Sequence, residues 1–459
     1  MSRMCWRHGC PGGVALAVGA LLAGCSVPLY KVPISSCVRS CLADSELDVE
    51  PAWSEGVLRV HYLGVGGFVL ERCLGTWEKC NRRDVVLTAP LYSNPSLIEV
   101  LMDHQIRPDV ELIDALLPEA ADHALAILVG HSHYDHLMDV PWVAAQRADK
   151  AVILGSQSTQ ELLGFDTNVK SRVQAIDTGA YDPKRNGTAK WHYFPERQDP
   201  RVRVLAIRSQ HSDQIALDAL GLHLPLHLAR GEAVPGANDR WSPRAASDWA
   251  EGTVLAYLVD FLNSECRLGA LDRCKVDFRI YYQDSGANAG FGAPPPDELR
   301  AKRTDVALLC AGGEYRRLDD HPGFILNRLK PRFIVAGHWE DFFSTQRAYC
   351  VPDSKDRAVV GQASSPTFLG VGRSHTEGFL DGIEMALRSF QEQDRPLDVW
   401  LPCPTLSVFD VPPQSADASA CRHVRGEWQC HYETTQLCPG YLGPSVDDVG
   451  LGCLKAPCR

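Results

Sequence analysis

From residue 55 onward the sequence predicts an α/β fold, with sheets covered by helices, on two observations. Short apolar runs bounded by turn residues recur along the chain, and helix-like segments lie between most of them. Strands alternating with helices are the signature of layered α/β architectures. The first runs, Leu58–Leu63, Gly67–Leu70 and Val85–Leu87, have the length of buried strands. Helices are expected over Pro95–His104 and Val110–Leu117, followed by strands at Leu125–Val129 and Val152–Leu154. A helix over Pro141–Arg147 separates that pair, and another runs through Leu162 and Leu163 behind Ser158 as its cap. Later strands are expected at Val202–Ile207, Val254–Leu262, Val276–Tyr282, Val306–Leu309, Phe333–Val335 and Val399–Leu401. The most periodic segment is Thr376–Gln393, which sets Phe379, Ile383, Leu387 and Phe390 on one helix face. A chain of 459 residues has room for two domains, but this pattern predicts one large domain over 55–411.

The chemistry concentrates in His131-Ser132-His133-Tyr134-Asp135-His136, directly after the run Leu125–Val129 and Gly130. A strand running into a tight turn can aim several side chains at one point. Imidazole nitrogens and carboxylates are preferred zinc ligands, so the turn reads as a metal motif rather than a solvated histidine-rich loop. Three further polar residues end strand-like runs. His211 follows Val202–Ile207, Asp284 closes Phe278–Gln283, and His338 follows Arg332–Gly337. Singly each is an ordinary strand-end residue, whereas the ordered set with the motif points to a site.

In this motif and in the order of the three distant residues, the chain resembles the metallo-β-lactamase superfamily of metal-dependent hydrolases. The resemblance covers roughly residues 55 to 405 and implies an αββα sandwich of two mixed β-sheets flanked by helices. It also implies two zinc ions. His131, His133 and His211 would hold one, Asp135, His136 and His338 the other, and Asp284 would bridge them. Three protein ligands per ion plus a shared carboxylate leave a position for water, as catalytic sites require. Asp135 is expected to act as ligand and proton acceptor, and His321 to touch the substrate or its leaving group. Cysteine is missing from the ligand set, which argues against a structural zinc finger.

The last third narrows the resemblance. Cys310-Ala311-Gly312-Gly313-Glu314-Tyr315, His321-Pro322 and Ala336-Gly337-His338-Trp339-Glu340-Asp341-Phe342 are similar to the branch holding N-acyl-phosphatidylethanolamine phospholipase D and ascorbate-6-phosphate lactonase. Phosphodiester and lactone substrates are both implied. One position departs from the family: Asp-Pro is usual after an early strand, whereas this chain reads Thr88-Ala89-Pro90. Thr88 is the expected replacement for the Asp that braces the histidine loop. The departure also keeps a rival reading open, a non-hydrolytic metal-binding lipoprotein with an interaction role.

The N-terminus has the form of an export signal over residues 1–24. Arg3 and Arg7 precede an apolar stretch from Val14 to Leu22 that is too short for a permanent span. Leu22-Ala23-Gly24-Cys25 resembles the lipobox of bacterial lipoproteins, which implies cleavage before Cys25 and lipidation of that residue. Multiple acyl chains give stable anchoring, and Ser26 fits outer-membrane sorting in the bacterial cell envelope. Residues 25–54 are expected to be the lipidated cysteine and a tether. Seventeen cysteines suit an oxidising location, because removing Cys5, Cys10 and Cys25 leaves an even number. Cys73 with Cys80, and Cys266 with Cys274, sit at facing ends of the loops that join neighbouring strands, so both pairs are expected to be disulfides. Cys37 with Cys41 and Cys310 with Cys350 are further candidate pairs.

Residues 412–459 carry Cys421, Cys430, Cys438, Cys453 and Cys458 among Pro, Gly and polar residues, which reads as a disulfide-stapled tail. The leucine-rich segment 217–250 lies between two ligand strands and is read as a packing insertion, a lid or a lipid-facing surface. A net charge of −11 with no basic run longer than a pair such as Lys184-Arg185 disfavours nucleic acid as a partner. The expected substrate is a small or lipid-derived molecule.

Overall fold

The computed structural model describes residues 56–212 (with breaks at 77–78, 186 and 196–198), 216–219, 222–225, 233, 244–312, 318–340, 343, 373–394, 396, 398–400, 402, 408–411, 413, 421–424, 427–430 and 435–436. The expected signal, Cys25, the tether, Cys350 and most of the 217–250 segment and the tail lie outside the described residues. So do Glu314, Tyr315, Asp341 and Phe342.

In chain order the strands are β1 (Leu58–Gly64), β2 (Gly67–Thr76), β3 (Lys79–Thr88), β4 (Gln105–Ile106), β5 (Ala124–Leu128), β6 (Val152–Gly155) and β7 (Val173–Ala175). They continue with β8 (Trp191–Phe194), β9 (Val202–Arg208), β10 (Ala216–Ala219), β11 (Leu222–Pro225), β12 (Arg244–Ala245), β13 (Leu255–Leu262) and β14 (Val276–Gln283). The last are β15 (Val306–Cys310), β16 (Phe333–Gly337), β17 (Asp398–Trp400), β18 (Val408–Val411), β19 (Cys421–Val424), β20 (Glu427–Cys430) and β21 (Thr435–Gln436).

Two large mixed sheets form the body. The first has seven strands in the order β18-β1-β2-β3-β5-β6-β7, and the second has eight in the order β21-β17-β16-β15-β14-β13-β9-β8. Each is antiparallel on one side and parallel on the other, the change falling at β3 in the first sheet and at β14 in the second. Alternation of side chains dictates how the layers stack. Val86, Ala126, Leu128 and Leu154 join the core shared with β9, β13, β14, β15 and β16. Their neighbours Val85, Leu87, Ile127, Val129 and Ile153 face the other way, against Leu112, Ile113, Val140, Val143, Leu162 and Leu163. These last residues belong to helices Val110–Leu116, Val140–Gln146 and Gln157–Leu163. Helices Gly323–Leu329 and Arg373–Leu387 pack on the second sheet through Ile325, Leu326, Phe379 and Ile383. The fold is therefore an αββα sandwich.

Several expectations are revised in detail. The Pro95–His104 helix shrinks to Leu97–Leu101, because Ser96 caps it with a capping box and the chain turns at Asp103, whose φ is 51°. The periodic helix starts at Arg373 and stops at Leu387, short of Phe390. Cys73–Cys80 and Cys266–Cys274 are disulfide-bonded. However, β2 and β3 extend well past the expected ends, so the first bridge crosses a strand pair rather than closing a long loop. Part of the tail returns to the body, since β21 pairs with β17 at the edge of the second sheet. Among the described residues no helix is long and apolar enough to cross a membrane.

Candidate metal centre

The site lies where the carboxyl ends of strands from both sheets meet. β5 leads into Gly130 and the histidine turn, with His133 at the start of the short helix Tyr134–Leu137. Asp135 and His136 fall in that helix and are buried. From the second sheet, His211 lies just beyond β9, while Asp284 and His338 directly follow β14 and β16. The neighbouring strand β13 runs the opposite way, so its first residue sits at the same edge. The Leu255 N–H donates to the Gly130 carbonyl at 2.7 Å, which seams the two sheets beside the site.

Three groups of donor atoms result: His131 with His133 and His211, His131 with His136 and Asp284, and Asp135 with His136 and His338. Within each group the atoms lie inside 4.8 Å of one another, so these clusters could hold metal ions. The Asp284 carboxylate stands between the two outer groups, with Oδ1 3.3 Å from His131 Nδ1 and Oδ2 3.3 Å from His136 Nδ1. Asp135 Oδ2 is 3.3 Å from His136 Nε2 and 3.2 Å from His338 Nε2. His131 Nε2 and Asp135 Oδ1 are buried without a hydrogen-bond partner. Native proteins seldom leave such atoms orphaned, and cations held in the donor groups to which each belongs would satisfy them. The residues present therefore fit a metal.

Electrostatics agree with that fit. Burial, reinforced by His136 and His211, holds His131 well below its ordinary 6.5. Burial likewise lowers His211 to about 3, so both imidazoles are neutral, the form that ligates metal. The His211 Nδ1–H donates to the Ser212 carbonyl at 2.5 Å, which fixes the tautomer and leaves Nε2 as the lone-pair donor. For Asp135, burial acts upward, but His136 and His338 outweigh it and leave the carboxyl well below its usual range. Asp284 is raised by burial, despite the attraction of His136 and His211.

Sequence reasoning missed the packing that lets these groups converge. A Cβ at Gly130 would fall on the Asp284 carboxylate, so the place of that carboxylate needs a glycine opposite it. A Cβ at Gly312 would come within 2.6 Å of the His338 carbonyl and 3.0 Å of its Nδ1. Glycine is what permits such close approach, and Gly130 alone of the two stands next to the metal motif in sequence. Glu251 was also missed. Its carbonyl accepts from the Ser132 N–H at 2.9 Å, and its carboxylate comes within 4.0 Å of His133 Nε2.

Thr88 does not touch the histidine turn. Its hydroxyl donates to the Gly66 carbonyl at 2.5 Å and accepts from the Phe68 N–H at 2.7 Å, holding the β1–β2 turn. The Tyr282 hydroxyl donates to the same carbonyl at 2.8 Å. The histidine turn is instead braced by Ser132, whose hydroxyl lies 2.8 Å from that of Thr159. His321 stands outside all three donor groups. Its Nε2–H donates to the Cys310 carbonyl at 3.1 Å, its ring packs 5.9 Å from that of Phe379, and burial lowers it to about 4. Among the described residues Cys310 forms no disulfide, and its buried thiol is pushed well up, chiefly by burial.

No protein-family model matches the chain, and no curated protein matches it. Similar solved structures include a metallo hydrolase from the archaeon Ignicoccus hospitalis, at 11% identity and a TM-score of 0.37, covering 77% of this chain and 98% of that one. Another is CmlA, a diiron β-hydroxylase from Streptomyces venezuelae, at 13% identity and TM-score 0.39, covering 79% and 55% of the two chains. A third is the short form of human tRNase Z, at 12% identity and TM-score 0.29, covering 61% and 92%. The strand order and layering given above make the fold an αββα sandwich of two mixed sheets flanked by helices.

Proposed function

We propose that this protein is a hydrolase working through two divalent ions, with zinc the expected metal, on an ester, phosphodiester or lactone. The convergence of His131, His133, Asp135, His136, His211, Asp284 and His338 from both sheets into overlapping donor groups carries this reading. In it, one ion takes His131, His133 and His211, the other takes Asp135, His136 and His338, and Asp284 serves both. Nitrogen and oxygen donors of this kind suit zinc. When bound, a pair of such ions supplies Lewis acidity and a water of lowered pKa.

The chain's own residues supply the rest. Burial keeps His131 and His211 neutral, so ligation costs them no proton. Asp135, held ionised by His136 and His338, is the carboxylate best placed to accept a proton at the reacting centre. Asp284 puts a negative charge where two cations would otherwise repel. His321 has committed Nε2–H to the Cys310 carbonyl, so its proposed contact with substrate or leaving group falls to Nδ1. The test is turnover of phosphodiester, lactone and β-lactam reporters by zinc-reconstituted protein, with and without chelator. Zinc-dependent cleavage of the first or second, lost in His131→Ala, is expected. Inactivity on all three favours the non-hydrolytic rival, and preference for the β-lactam overturns the substrate class.

The proposal extends to location. Cys25 would carry lipid and hold the protein at the bacterial outer membrane, within reach of small or lipid-derived substrates rather than nucleic acid. Cys25→Ala is expected to abolish acyl labelling, and continued incorporation of labelled fatty acid in that variant would refute the anchor.

A further inference from the structure

His338 reaches the cluster on a backbone that ordinary residues avoid. Its φ is 54°, and Val65 in the β1–β2 turn, a β-branched residue, has φ 52°. Left-handed φ at a β-branched residue is a true outlier and persists only where surrounding contacts dictate it. Here the two left-handed residues hold each other, because the His338 N–H donates to the Val65 carbonyl at 2.7 Å. The same N–H also donates to the Tyr62 hydroxyl at 3.0 Å.

Behind this pair stands Glu340, buried at 3% exposure. Its Oε2 accepts from the Tyr62 hydroxyl at 2.5 Å, and its Oε1 accepts from the Val65 N–H. Oε2 therefore fixes the Tyr62 hydroxyl that receives the His338 N–H, and Oε1 holds the N–H of Val65, the residue whose carbonyl receives it. Among the described residues Glu340 forms no ion pair with Lys, Arg or His. A buried charge of this kind is expensive unless its hydrogen bonds are good ones, which makes a packing role a poor account of a glutamate at this position. Tyr62 is pushed well above its ordinary range by burial and by Glu340, so its hydroxyl keeps the proton it donates.

We propose that Glu340 is the positioning residue of the His338 metal site: its buried carboxylate, bonded to the Tyr62 hydroxyl and the Val65 N–H, holds the left-handed turn that presents His338 to its ion. This rests on the two-ion reading of the cluster. Groups that orient metal ligands act on affinity, so the effect belongs to one ion of the pair. Among the described residues none of His131, His133 and His211, which would hold the first ion, hydrogen-bonds to Glu340.

The experiment is titration of cobalt and zinc into the full-length metal-free protein, its Glu340→Ala, Glu340→Gln and Tyr62→Phe variants, with the cobalt absorption spectrum recorded at each equivalent. Glu340→Ala is expected to weaken the second ion by about 10–100-fold and alter its cobalt spectrum while leaving the first ion unchanged. Glu340→Gln keeps one acceptor and is expected to recover part of that loss. Tyr62→Phe, which leaves the Glu340–Val65 bond intact, should give a smaller loss confined to the same ion, and it carries the test should the alanine variant fail to fold. Second-ion affinity equal to the parent's in the folded variants, or equal weakening of both ions, overturns the proposal. A parent that binds no second ion overturns the metal reading itself.

Discussion

The histidine turn after β5 and the lone ligands after β9, β14 and β16 reach the same point by opposite routes. In the first sheet four donors come from one turn, held by Ser132–Thr159 and by the Glu251 carbonyl. In the second sheet each donor has its own strand, and His211, Asp284 and His338 meet only because β9, β14 and β16 run the same way in one sheet. One half is thus organised by a loop and the other by topology. The difference locates the vulnerable points: the local half depends on side chains packed around one turn, the distributed half on backbone contacts at the seam between the sheets.

The seam should show the largest effect. Gly130→Ala puts a methyl group where the Asp284 carboxylate lies, so Asp284 must leave its place between the two outer groups. Loss of tight binding at both sites is expected, along with hydrolysis lowered by at least about 100-fold, because metal and charge placement are disturbed together. Zinc titration checks it, and parent-like affinity would show that the two halves are not coupled through this contact. Asp284→Asn comes next. It keeps the shape but removes the charge between two cations, so at most one tight ion should remain while the thermal unfolding of the metal-free protein hardly changes. Two tight sites surviving in this variant would remove Asp284 from the bridge.

A smaller effect separates the halves by pH. Asp139 accepts from the Tyr92 and Ser93 N–H groups at 2.7 and 3.1 Å, and burial pushes it from 3.8 to about 6. Its folded value lies above its unfolded one, so the stability it contributes is present below about 4 and lost as pH rises through about 6. Asp139→Asn retains an acceptor for both N–H groups and removes that titration. It should be near neutral at pH 4 and stabilising by up to about 3 kcal/mol at pH 7, since each pKa unit corresponds to about 1.4 kcal/mol. Denaturant unfolding of the metal-free proteins at both pH values decides it. No difference between the two would mean that Asp139 is ionised at no cost in the fold.

The same contrast explains what could be read from the chain alone. His131, His133, Asp135 and His136 announce themselves because scarce residue types crowd one turn. His211, Asp284 and His338 were legible only as an ordered set of strand ends, their meeting being a property of strand direction. The strands were readable because burial on both faces of β13 and β15 leaves nearly unbroken apolar runs. Helix ends were less so, since Ser96 and Asp103 set the short helix Leu97–Leu101 by capping and turning rather than by periodicity. Gly130, Gly312, Glu251 and Glu340 carry no pattern of their own. Their importance comes from what lies opposite them in space, and Thr88 shows the converse, a residue expected at the histidine turn whose hydroxyl serves the neighbouring one.

The central claim is that both halves build one two-ion centre. Its most direct test is elemental analysis and zinc titration of the unmodified protein after stripping and reconstitution. Two tightly bound ions per chain are the predicted result, falling to one in His338→Ala as well as in His133→Ala. A single ion or none in the parent protein would contradict the account.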